Sequence, residues 1–169
     1  DAKTEDYIKF FEYASGCRNH KVSNIMKSVL LNGYVAEGSF EKATALFYEI
    51  KKSINALNKP EENYNQLVFG TNYLLHTRQL NEAFEFLKLT EDCIRRLPPK
   101  YDNQEEVYHN LRIKYLCVSN QLTSADEFNY YFEKASTRIA KLQLKFFYAA
   151  FLEAKDARAA TEEYKYVAD

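Results

Sequence analysis

This sequence predicts an all-α fold of antiparallel helix pairs stacked as a solenoid, and three observations carry the prediction. A short phrase recurs: Gly38-Ser39-Phe40-Glu41-Lys42-Ala43 returns as Arg78-Gln79-Leu80-Asn81-Glu82-Ala83, as Asn120-Gln121-Leu122-Thr123-Ser124-Ala125 and as Lys155-Asp156-Ala157-Arg158-Ala159-Ala160. A large residue, Tyr34, Leu74, Leu116 or Phe151, stands nine positions before the alanine of each copy. A large residue, a small or polar turn and a small residue in the next helix let two helices pack closely, and repetition of that pair makes a solenoid. Glycine and proline number only four and three in 169 residues, too few to punctuate a fold of strands and turns. The stretches after the first two turns also follow helical spacing, as Phe40, Ala43, Phe47, Ile50 and Ile54, and as Leu80, Ala83, Leu87 and Ile94 with one gap.

The elements follow in order. Residues 5–15 read as a single helix whose acidic first turn suits the positive end of the helix dipole. The first pair covers about 22–36 and 40–57 and is ended by Asn58-Lys59-Pro60. The second covers about 62–77 and 80–97 and is ended by Pro98-Pro99, since proline cannot donate into the helix before it. The third covers about 103–119 and 123–141, the fourth 142–154 and 157–168. The pairs therefore span 22–57, 62–97, 103–141 and 142–168 of a single expected domain, 1–169. The alanines stand 40, 42 and 35 residues apart, and the surplus over the shortest spacing falls in the loops 58–62 and 98–103.

Composition narrows the function classes. With 46% hydrophobic and 28% charged residues the chain is expected to pack, burying roughly 70% of its unfolded surface. A net charge of −1 supplies no global attraction for nucleic acid or an anionic membrane. No run of 18 apolar residues exists to span a bilayer as a helix. Three cysteines, Cys17, Cys93 and Cys117, lack any CxxC spacing and fit unpaired thiols in a reducing compartment. A cytoplasmic location is expected. The chain opens with Asp1 and its only methionine is Met26, so it reads as part of a longer protein, with tethering to a membrane through an upstream segment left open.

Catalytic patterns are not found. Gly16, Gly33, Gly38 and Gly70 are isolated, whereas a phosphate-binding loop needs clustered glycines so that backbone amides can approach the anion. His20, His76 and His109 have no His or Cys partner three or four residues away, so no zinc spacing arises; His109 and Cys117 together would supply only two ligands. No histidine is placed by the sequence to activate a cysteine. The pairs Glu61-Glu62, Glu105-Glu106 and Glu162-Glu163 fall in the first turns of expected helices, where the dipole favours negative charge. No enzyme, metal or cofactor is expected.

The turn, alanine and aromatic pattern resembles the tetratricopeptide repeat family over about residues 22–168. The first pair matches through Leu30, Leu31, Tyr34, Gly38, Phe40, Ala43 and Phe47, with Leu31 where the family has glycine. The second keeps Gly70 one step early, then Leu74, Leu80, Ala83 and Leu87. The third departs most, with Arg112 and Ile113 at the Leu-Gly step and Asn129 after Ala125. The fourth offers Phe147, Tyr148, Phe151, Ala160 and Tyr164. The closing stretch, Lys145–Tyr148 through Glu162–Val167, resembles final repeats of such proteins from Gram-positive bacteria.

The resemblance implies a right-handed α-α superhelix whose first helices line a concave groove. It places Asn32, Asn72, Lys114 and Ala149 in that groove, then Ser28, Val68, Asn110 and Lys145, then Ala36, His76, Val118 and Glu153. Stacked asparagines can each offer a donor and an acceptor to an extended peptide, and Lys114 or Lys145 could meet a carboxylate such as a peptide C-terminus. The family's carboxylate clamp is incomplete, because the first pair carries Ser28 and Asn32. The expectation is a non-catalytic scaffold for a protein or peptide, contacted through Asn32, Asn72, His76, Asn110 and Lys114. Neither nucleic acid nor direct membrane contact is expected, and a homodimer is left open. The alternative is a peptide-sensing regulatory domain of a larger transcriptional regulator; RNA binding by a basic inner face is a third reading, which the net charge opposes.

Overall fold

A computed structural model describes residues 2–55, 57–98, 103–153 and 155–168, and of residues 2–4 the backbone alone. Asp1, Pro99 and Ala154, which enter the expectations above, lie outside the described residues. Among the described residues the chain is all-helical: α1 (Ala2–Ser15), α2 (His20–Glu37), α3 (Phe40–Ser53), α4 (Pro60–His76), α5 (Leu80–Arg95), α6 (Gln104–Val118), α7 (Ala125–Lys134), α8 (Arg138–Leu152) and α9 (Ala157–Ala168). No helix among them is long and apolar enough to cross a membrane. The helices gather into two compact units, Asp1–Tyr101 and Asp102–Asp169.

The recurring phrase is a helix-ending device. Gly38, Arg78 and Asn120 all take the left-handed conformation, with φ of 78°, 55° and 63°. In all three the next amide reaches back to the large residue of the pattern: Ser39 to the Tyr34 carbonyl, Gln79 to Leu74 and Gln121 to Leu116, each at 2.9 Å. The left-handed residue itself donates to Val35, Leu75 or Cys117 at 3.2 Å. This double bond pattern satisfies two carbonyls that a helix end leaves open and turns the chain back on itself. The fourth copy uses other means: Asp156 Oδ1 accepts from the Arg158 and Ala159 amides at 3.1 and 3.0 Å.

In the first unit α2 packs against α1, α3 and α4, and α4 packs against α2, α3 and α5. Ala43 and Ala83 are fully buried, as the repeat predicts, beside Leu31, Phe47, Tyr73 and Leu74. Phe47 stacks on Tyr73 at 4.7 Å and meets Phe86 at 5.5 Å. Two boundaries differ from the sequence reading. Pro60 does not stop the first pair; it occupies the first turn of α4, where its missing N–H costs nothing. The stop comes earlier, at Ser53: Asn58 Nδ2 donates to the Ser53 carbonyl at 3.3 Å and Gln66 Nε2 to Ser53 Oγ at 2.7 Å, so Ile54 leaves the helix.

In the second unit α6 packs against α7 and α8, and α8 against α6, α7 and α9. The expected helix 123–141 is instead two elements. α7 starts at Ala125, capped by Ser124, and ends at Lys134; α8 starts at Arg138 rather than 142, with Thr137 Oγ1 accepting from the Ala140 amide at 3.1 Å. The late start of α7 shifts its register by three residues. Ala43, Ala83 and Ala160 are the fourth residues of α3, α5 and α9, whereas Ala125 is the first of α7 and is exposed. Phe128 holds the equivalent place, is fully buried, and lies flat on Tyr148 at 4.0 Å.

Candidate binding site

The residues expected to line a groove fall into three situations. Asn32 and Asn72 are brought together: packing of α2 on α4 aligns them, and Asn72 Nδ2 donates to Asn32 Oδ1 at 3.1 Å. Asn72 is buried, so this bond joins two helices. Ser28 is fully buried, its hydroxyl donating to the Asn24 carbonyl at 2.8 Å, and His76 is half-buried and engaged at the end of α4.

Lys114 and Lys145 are held by their own chain. Lys114 is only 4% exposed, its Nζ donating to Gln143 Oε1 at 2.6 Å and standing 5.6 Å from the Phe147 ring centroid. Loss of hydration on burial pushes its pKa down to about 7. Lys145 pairs with Glu163 at 2.7 Å under the rings of Phe132 and Tyr166, tying α8 to α9. The carboxylate it meets is therefore internal. Ala149 is likewise buried, while Val68 and Val118 are half-buried and Ala36 and Glu153 exposed.

Asn110 has a different setting. It lines a cleft of about 330 Å³ between the start of α6 and the end of α7, at the end of that hairpin opposite its turn. Glu105, Glu106 and His109 of α6 face Tyr130, Tyr131 and Lys134 of α7 there. The His109 ring stacks on Tyr131 at 5.0 Å, and Tyr130 meets Tyr131 edge-on at the same separation. Lys134 Nζ donates to the Tyr130 hydroxyl. Glu106 Oε1 accepts from the Ser136 amide at 2.8 Å and from its hydroxyl at 3.0 Å, which fixes that carboxylate. His109 Nδ1 is buried with no hydrogen-bond partner, and Glu105 and Asn110 make no side-chain hydrogen bond among the described residues.

No family model, characterised protein or solved structure matches this chain. Among the described residues no group of three or more His, Cys, Asp and Glu side chains could hold a metal ion. Burial pushes the Cys117 thiol up to about 12 and raises Cys93 as well, while the Cys93 thiol donates to the Pro60 carbonyl at 3.2 Å. Such thiols stay protonated and unreactive at neutral pH. A larger groove of about 650 Å³ in the first unit is walled by Ile54, Leu67 and Leu89 and lined by two arginines: Arg95 is paired with Glu91 at 2.6 Å, and Arg96 Nε donates to the Asp92 carbonyl at 3.4 Å.

The sequence reading reached Asn110 but not its companions. Glu105 and Glu106 read as a solvated helix start, His109 as isolated, and Tyr130, Tyr131 and Lys134 carried no motif. The cleft exists because α7 stops at Lys134, and nothing but Ser136 and Thr137 marks that stop.

Proposed function

We propose that the chain is a non-catalytic helical-repeat scaffold that binds a protein or peptide, with the cleft between α6 and α7 as its contact point. The hairpins are assigned to a tetratricopeptide-like right-handed superhelix. The observation that carries the reading is the convergence of Glu105 and Asn110, neither with a side-chain hydrogen-bond partner among the described residues, in one cleft walled by tyrosine. Glu105 is exposed and Asn110 half-buried, so an incoming partner can reach both side chains. Asparagine offers both a donor and an acceptor, the pair a peptide backbone requires, and the rings add contact area with little entropy to lose. In this reading Asn32 and Asn72 join helices, while Asn110 meets the partner.

Selection from a random-peptide display library tests it, with the chain and its Asn110→Ala variant as baits. Peptides that bind the first and lose roughly tenfold in affinity on the second, about 1.4 kcal/mol, support the assignment. Recovery of no binding peptide, or equal affinity for both baits, overturns it.

A further inference from the structure

We propose that the cleft between α6 and α7 takes the cationic side chain of an arginine presented by an extended peptide. The inference rests on the scaffold reading above and names the group that this site would recognise. Two carboxylates, Glu105 and Glu106, stand at its α6 wall against one ammonium, Lys134. The Lys134 Nζ is engaged by the Tyr130 hydroxyl and lies 4.1 Å over that ring. Ser136 anchors one oxygen of Glu106, while Glu105 remains exposed with no partner among the described residues. An anion entering here would meet two carboxylates. An apolar side chain would take water from the Glu105 carboxylate and the Asn110 amide and return no hydrogen bond.

A guanidinium suits what is present. Its planar fork carries five donors and can grip a carboxylate with two of them. The Asn110 side-chain carbonyl lines the same cleft and offers a further acceptor. The Tyr130 and Tyr131 rings wall the cleft; one face of Tyr130 already holds the Lys134 ammonium and one face of Tyr131 the His109 ring, which leaves their remaining surface for contact with the guanidinium plane. The size agrees: about 330 Å³ lies at the small end of ligand sites, enough for one long side chain.

The test is an NMR titration of the whole chain, reading the Asn110 side-chain amide and the His109 ring signals. Three probes are used: N-acetylarginine methylamide, the citrulline compound of nearly the same shape without the charge, and the glutamate compound. Saturable shifts with the arginine probe, at least fivefold weaker with citrulline and lost in Glu105→Gln, are expected. Glu105 is exposed and makes no side-chain hydrogen bond or ion pair among the described residues, and unchanged Phe128 and Tyr148 signals verify that this variant is folded. Equal response to arginine and citrulline, a response that survives in Glu105→Gln, or no shift at Asn110 and His109 overturns the proposal. The two readings fail separately. Display-selected peptides that bind while the arginine probe does not remove the arginine inference and leave the scaffold. Arginine binding without any peptide ligand leaves the cation site and removes the scaffold.

Discussion

Gly70 of α4 lies directly under the ring of Phe86 of α5: a Cβ at Gly70 would stand 2.8 Å from Phe86 Cε1 and 3.4 Å from Phe47 Cε2. Phe86 and Phe47 are 4% and 1% exposed, so neither ring can swing into solvent. Alanine gains about 1 kcal/mol over glycine inside a helix, but overpacking a core costs about 1–3 kcal/mol. Gly70→Ala is therefore expected to lower the melting temperature in spite of its better helix propensity. A raised melting temperature would show that the two rings yield.

The register of α7 separates Phe128 from Ala125. Phe128 fills the core against Tyr148, so Phe128→Ala should cost about 3–5 kcal/mol. Ala125 is the exposed first residue of its helix, and Ala125→Leu should change stability by less than about 0.5 kcal/mol. Denaturant midpoints of the two variants check this. A large loss on Ala125→Leu would return that alanine to the helix seam.

The turns give a stabilising prediction. Arg78 is exposed and sits at φ 55°, a conformation that costs an L-residue about 1–2 kcal/mol and glycine almost none. Gly38 already holds the equivalent place at φ 78°. Arg78→Gly should therefore gain roughly 0.5–1 kcal/mol after the extra backbone entropy of glycine is counted, and Gly38→Ala should lose a similar amount. Thermal unfolding of both variants reads the two signs. A loss on Arg78→Gly would mean that the arginine side chain itself stabilises the turn.

These residues show what could be read in advance. The repeat phrase was legible because its chemistry is local: a left-handed residue and the carbonyl five positions before the next amide lie within one short segment. Helix identity followed from the same segment and from apolar spacing. The break at 135–137 was hidden because Ser136 is held by Glu106, thirty positions away, and Thr137, although it favours a cap, is also found inside helices and does not mark a break by itself. Lys114 and Asn110 stand one helical turn apart and look alike in a pattern of groove positions. Which of them is sealed depends on Gln143 and Phe147 of α8, a tertiary fact.

Lys114 carries the last prediction, through pH. Its folded pKa is about 7 against an ordinary 10.5, so between these values the unfolded chain holds a proton that the folded chain has released. Stability must then rise with pH over that interval, by up to about 1.4 kcal/mol per unit. Cys117 acts in the opposite sense higher up: burial raises it from 9.0 to about 12, so above pH 9 the unfolded chain loses a proton that the folded chain keeps. The two effects combine to give a rise from about pH 7 to 9 and near-cancellation above. Urea midpoints at pH 7, 8 and 9 are expected to climb in the native chain and to stay level in Lys114→Met. The slope is the readout, because the substitution also removes the donor to Gln143 and shifts the absolute value. Parallel curves for the two proteins would show that Lys114 remains charged where it is buried.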